Sequence, residues 1–168
     1  MGITNSQMSS NLELELTPLC YGQAAGNDII EKPDLTTLNT SADYGKYLSY
    51  DHTTKEFTVI APFKAIITAW VYQYRSPNQT TSEGEFYYNG TKIGKKYKCG
   101  SKNLGDTAGL TRAIEVSAGD TFYVYTPSTN GYPQQRIKIY LCNDDAFTTF
   151  NTYDEAFSLE PALTGGGD

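Results

Sequence analysis

The chain has 168 residues, a formal net charge of −6, 19% charged residues and 14 tyrosines against one tryptophan. That length supports one core-bearing domain with extensions rather than two domains, and a tyrosine-rich, charge-poor mixture with 15 glycines excludes a helical bundle in favour of β-structure with polar loops. No apolar run approaches the ~20 residues that cross a bilayer as a helix, and no basic-then-apolar leader marks export, so neither membrane insertion nor secretion is expected.

Three cysteines, Cys20, Cys99 and Cys142, are too few and too scattered for a disulfide framework or a zinc site, and are read as reduced thiols. Charge is segregated. Residues 1–45 hold six acids and one base, a net −5; residues 46–142 hold twelve bases and seven acids, a net +5; residues 143–168 hold six acids and no base, a net −6. Acidic ends on a basic body suit docking, on the chain's own body or on a neighbour's, and equally suit solvated termini.

In chain order, residues 1–43 read as an extended arm. Leu12, Leu14 and Leu16 alternate with Glu13 and Glu15 as a short one-sided strand. Pro18, Gly22, Gly26 and Pro33 then break any period. Such a strand is either the first of the domain or an addition to another subunit's sheet, and the second is preferred, which makes the three leucines partner anchors.

The domain is expected over residues 44–142. Phe57 and Val59 alternate with Thr58 as a strand. Pro62 makes a corner. Residues 65–74, with Ile66, Ile67, Trp70, Val71, Tyr72 and Tyr74, form a long aromatic strand too apolar for a sheet edge. Glu85-Phe86-Tyr87-Tyr88 runs into Asn89-Gly90, the strongest hairpin signal in the chain. Strands follow at 110–116, at 121–125 after a Gly119-Asp120 turn, and at 136–141. About eight short strands separated by turns indicate an all-β antiparallel two-sheet sandwich.

Residues 143–168 form a short tail. Phe147, Phe150, Tyr153 and Phe157 recur three or four apart among acids, the pattern of a short amphipathic helix. The tail packs back on its own sandwich or grips another chain; the second is preferred, because aromatic anchors carry interface energy.

The order Tyr50-Asp51, Phe57-Thr58, Pro62 and an aromatic strand through Trp70, Tyr72 and Tyr74 resembles the opening of the complement-C1q/TNF-like jelly roll. Tyr88-Asn89-Gly90-Thr91-Lys92, then residues 114–124 around Gly119-Asp120, then residues 137–141, match its later strands in order. The resemblance covers residues 46–142 and neither end. Phe63 departs from the glycine that usually follows the proline, and no collagen-like stalk is present. The resemblance implies a jelly roll that forms a homotrimer. Without an export signal it points to the bacteriophage form, a head fibre, decoration protein or tail or baseplate tip, made in the bacterial cytoplasm and carried on the virion. Phe57, Trp70, Tyr72, Phe122, Val124 and Tyr140 are assigned to the core and the trimer.

Chemistry is sparse. His52 lies in a polar turn with no nucleophile in a recognisable setting. Asp51, Glu83, Glu85, Asp106, Glu115 and Asp120 include candidates for a glycosidase pair, but turn-closing and surface roles explain all six. No calcium-loop pattern is present. Lys95, Lys96, Lys98 and Lys102 lack a nucleic-acid motif. The reading is therefore a non-enzyme without cofactor or metal and without a nucleic-acid partner, tied to other virion proteins through its ends. The alternative is a receptor or glycan binder using the loop end, with Tyr125, Asn130, Tyr132 and Gln134 as contacts.

Overall fold

The computed structural model describes residues 12–24, 31–73, 82–99, 106–127, 133–151 and 156–158. Eleven strands form two antiparallel sheets, a jelly-roll sandwich. They are β1 (Leu16–Gln23), β2 (Thr37–Thr40), β3 (Leu48–Asp51), β4 (Glu56–Val59), β5 (Phe63–Gln73), β6 (Ser82–Tyr88), β7 (Thr91–Cys99), β8 (Thr107–Val116), β9 (Thr121–Tyr125), β10 (Pro133–Cys142) and β11 (Ala156–Ser158). Two short helices, α1 (Tyr44–Tyr47) and α2 (Asp144–Phe150), complete the described residues. The six-stranded sheet runs β11-β8-β5-β10-β1-β2 and the five-stranded sheet β3-β4-β9-β6-β7.

Alternation sorts each strand into an inward and an outward row. From β5, Ala65, Ile67, Ala69 and Val71 enter the core, joined by Ile137 and Ile139 of β10 and by Leu110 and Val116 of β8. The facing sheet supplies Phe57, Phe122, Val124 and Phe86. Phe57 stacks on Phe122 with centroids 5.3 Å apart, and Phe86 tilts against Phe122 at 6.0 Å. Burial of these aliphatic and aromatic rows together from water stabilises the sandwich by ~25 cal/mol per Å² of apolar surface.

Local signals hold where they are strong. Asn89 and Gly90 both take positive φ, 50° and 80°, as a two-residue hairpin between twisted strands requires. Asp120 then knits three elements together: its carboxylate accepts from the Tyr88 hydroxyl, the Asn89 amide and the Ser117 N–H. These bonds favour the charged form and hold the carboxyl below its usual range, the Tyr88 bond foremost.

The stretch expected as an arm belongs to the sandwich. β1 lies between β10 and β2, and Leu19, Ala24 and Leu35 are buried. The register shift between Pro18 and Cys20 offsets the alternation of β1 midway, which hides the strand from a period-two reading. Gly22 adds to the disguise. A Cβ there would lie 2.9 Å from Leu35 Cδ1 and 3.2 Å from Ile137 Cγ2, so a larger residue would have to push those buried side chains aside.

The tail is also docked at home. Ala146 of α2 is buried with Ile66 and Cys142 on the outward face of the six-stranded sheet, and Phe147 and Phe150 pack against them. β11 pairs with β8 along that sheet's edge, with Phe157 opposite Gly109. Phe147 and Phe150 therefore cover their own sheet, where Ile66 offers apolar surface on a face that sequence alone cannot assign. Tyr153 lies outside the described residues.

Candidate self-association face

The outward face of the six-stranded sheet builds up in cross-strand rows. Tyr21, Lys138, Thr68 and Thr111 form one. Gln23, Arg136, Trp70 and Gly109 form the next, and Gln134, Tyr72 and Thr107 the third. A fourth is Pro18, Tyr140, Ile66 and Ala113, of which the last three pack with α2 while Pro18 stays exposed.

These side chains brace one another. Trp70 and Tyr21 are 6.2 Å apart between centroids. The Arg136 guanidinium lies 4.2 Å over the Tyr72 ring, and its Nε donates to Gln134 Oε1 at 2.9 Å. Gln134 is thereby buried on this face. Trp70 stands over Gly109, where an added Cβ would lie 2.5 Å from Trp70 Cβ and from the Ala69 carbonyl. An aromatic residue covering a cross-strand glycine restores the apolar contact the glycine lacks. Trp70, Tyr72, Tyr21, Tyr140 and Arg136 all remain half-exposed in the single chain. Tyrosine, tryptophan and arginine with small neighbours and few charges is the composition of an interface centre.

The five-stranded sheet presents the opposite character outward. Glu83 faces Lys96 at 3.3 Å and Lys98 at 4.0 Å, and Glu85 faces Lys92 at 3.9 Å. Lys32 pairs with Glu56 at 2.6 Å and lies 4.2 Å over the Tyr123 ring. Tyr123 stacks on Tyr87 with centroids 5.0 Å apart and planes 3° from parallel. Both faces of Tyr123 are taken, by Tyr87 and by Lys32, so that ring offers no open platform for a sugar. Partial burial and the Glu85 carboxylate push the Tyr87 phenol up to about 12. This face is satisfied from within.

The residues singled out from the sequence separate in space. Phe57, Phe122 and Val124 lie between the sheets, whereas Trp70, Tyr72 and Tyr140 lie on the outward face just described. Tyr125 is on the five-stranded sheet and Gln134 on the outward face of the six-stranded one, so no one surface holds both; Asn130 and Tyr132 lie outside the described residues. His52 Nδ1 is 2.8 Å from Asp34 Oδ1. Asp51 accepts from the Thr53 and Thr54 N–H groups and closes its turn. Among the described residues, no three His, Cys, Asp or Glu side chains gather as a metal site. Tyr21, Arg136 and Lys138 went unassigned in the sequence, and only the β1–β10–β5 register brings them to Trp70.

No family model matches the sequence, and no curated protein matches it. Solved structures do match in fold. An Eiger TNF from S. frugiperda aligns at 10% identity and TM-score 0.52, covering 77% of this chain and 94% of that one. The globular domain of a zebrafish complement 1qA protein aligns at 8% identity and TM-score 0.54, covering 74% and 97%. GITRL from bushbaby aligns at 12% identity and TM-score 0.50, covering 76% and 97%. The chain has the C1q/TNF-like jelly-roll fold.

Proposed function

We propose that the protein is a non-enzymatic structural module that acts as a homotrimer, carried on a bacteriophage particle as a head fibre, decoration or tail or baseplate tip. The observation that carries the self-association is the outward face of the six-stranded sheet, where Trp70, Tyr72, Tyr21 and Arg136 stay half-exposed while the opposite sheet closes its own charges. The fold likeness to TNF and complement 1qA domains supports a trimer as the closed arrangement. The virion setting extends the resemblance of the strand motifs to the C1q/TNF-like jelly roll, a fold that bacteriophage virion proteins also use, to a chain this acidic and tyrosine-rich. Chemical cross-linking of the native protein is expected to give a ladder ending at three chains, and mass spectrometry of purified particles is expected to find the protein in them. A ladder ending at one chain removes the trimer; particles without the protein remove the virion role.

A further inference from the structure

Residues 12–15 precede β1 and are pinned in extended form by the start of α2. The Glu15 N–H donates to Asn143 Oδ1 at 3.2 Å, and the Glu15 carbonyl accepts from the Asn143 N–H at 3.1 Å. Asn143 Nδ2 donates to the Glu13 carbonyl at 2.6 Å, and the Glu13 N–H donates to Asp145 Oδ2 at 3.4 Å. Because Glu13 and Glu15 aim their backbone groups at α2, Leu14 and Leu16 aim theirs the opposite way, as alternation along a strand requires. β2 reaches that side only from Leu19 onward, through the Ser41 N–H to the Leu19 carbonyl and the Cys20↔Thr40 pair. The edge from residue 12 to residue 18 is open among the described residues.

Two further features mark this edge as a seat. Leu12, Leu14 and Leu16 are 52%, 49% and 39% exposed, three of the four large exposed hydrophobics among the described residues. Natural edge strands are blunted by charge, proline or a bulge; Pro18 and the bulge after it close the far end of this one, and its charges, Glu13 and Glu15, are acidic rather than the usual lysine. Where β2 turns away, a mostly apolar crevice of about 330 Å³ opens beside Pro18, Tyr21 and Tyr140 with Lys138 at its rim. The surroundings are acidic. Of Glu13, Glu15, Asp144 and Asp145, only Asp144 has a cationic partner among the described residues, Lys64 at 3.0 Å.

We propose that this edge receives an extended segment of a different protein, in which apolar residues alternate with lysine or arginine. The ladder groups of Leu14 and Leu16 would pair with its backbone, the leucine row with its apolar side chains, and the carboxylates with its bases. A second copy of this chain does not fit. Its own apolar–basic alternations, Lys96 to Cys99 and Arg136 to Ile139, bury Tyr97, Cys99, Ile137 and Ile139 in the core, and the same edge from another copy would bring Glu13 and Glu15 against like charges. The site does not rest on the trimer reading: its ladder groups and leucine row lie outside the Trp70, Tyr72 and Arg136 contact, and only the crevice shares Tyr21, Lys138 and Tyr140 with that face.

The test uses the full chain and three synthetic probe peptides: nine residues alternating valine with lysine, the same with glutamate for lysine, and the lysine peptide with alternate residues N-methylated to remove ladder donors. Fluorescence anisotropy is expected to show the lysine peptide binding at least about tenfold tighter than either control. Leu14→Pro deletes one outward N–H, is tolerated at an open edge, and leaves the Glu13 and Glu15 bonds in place; it is expected to weaken binding about tenfold. Glu13→Lys with Glu15→Lys, both exposed positions, is expected to reverse the preference toward the glutamate peptide. Equal binding of all three peptides, or no effect of Leu14→Pro, overturns the proposal. So does a fall in assembly mass in Leu14→Pro, which would make the occupant a second copy. A protein that is monomeric yet binds the lysine peptide selectively keeps this inference while removing the trimer.

Discussion

Asn143 is one side chain holding two segments together, and its removal has a calculable cost. In Asn143→Ala, α2 loses its N-cap, the Ala146 N–H to Oδ1 bond of 2.9 Å, worth about 1 kcal/mol. The bonds to the Glu15 N–H and the Glu13 carbonyl also go. Both are exposed, so water re-satisfies the freed groups and each contributes about 0.5 kcal/mol, the low end for a protein hydrogen bond. The total of about 2 kcal/mol corresponds to a midpoint shift near 1 M in urea for a slope of about 2 kcal/mol/M. Amide exchange is expected to rise at Glu15 and Ala146 through local opening, and at Phe122 in the core only as far as the global stability falls. Asn143→Ser keeps a capping oxygen but cannot span to Glu13, so it is expected to recover about half of the loss. A midpoint shift below about 0.2 M, with exchange at Glu15 unaltered, would refute the assignment of Asn143 as the joint.

Other substitutions probe the packing and the ionisable groups. Gly84→Ala places a Cβ against the buried Tyr97 ring, 2.7 Å from its Cζ and 2.9 Å from Val71 Cγ1, and is expected to cost about 1–3 kcal/mol by overpacking, read as a lower thermal midpoint. Deleting residues 1–40 strips β1 and β2 from the six-stranded sheet and is expected to abolish cooperative unfolding; a truncated chain that melts like the full one contradicts the docked position of β1. Tyr87 and Tyr88 are raised to about 12 from 10.0, by desolvation first and then by Glu85 and Asp120. Folding favours their neutral phenols, so this contribution is complete below pH 10 and is lost as pH rises toward 12; a spectrophotometric titration in which every tyrosine ionises near 10 denies it. Asp120 runs in the other direction. Its folded carboxyl sits below 3.8, so its contribution is present above that pH and fades as pH falls through the lower folded value, and Asp120→Asn is expected to be less stable than wild type at neutral pH and equal to it in strong acid.

The sandwich was legible where a residue type enforces its own geometry. Asn89-Gly90 supplies two positive φ values, Gly119 a third, and the apolar run through Val71 cannot sit at an edge. Strand β1 was not, because its bulge and Gly22 break the alternation on which such a reading depends. The face of Trp70 was hidden for another reason. Apolar residues occupy both rows of β5, since one row meets the core and the other meets α2 and the outward tyrosines, so periodicity does not divide them. Asn143 left a local trace, an asparagine ahead of two aspartates, but its bonds to Glu13 and Glu15 span about 130 positions and arise only from the fold.

Sedimentation equilibrium on the purified chain, run beside Trp70→Glu, bears most directly on the outward face of the six-stranded sheet as a subunit contact. Three times the 18.6 kDa chain mass is expected for the native protein, and a single-chain mass with an unchanged β-sheet spectrum for Trp70→Glu. A native protein that sediments as one chain at every concentration, or a Trp70→Glu trimer as tight as the native one, contradicts that contact.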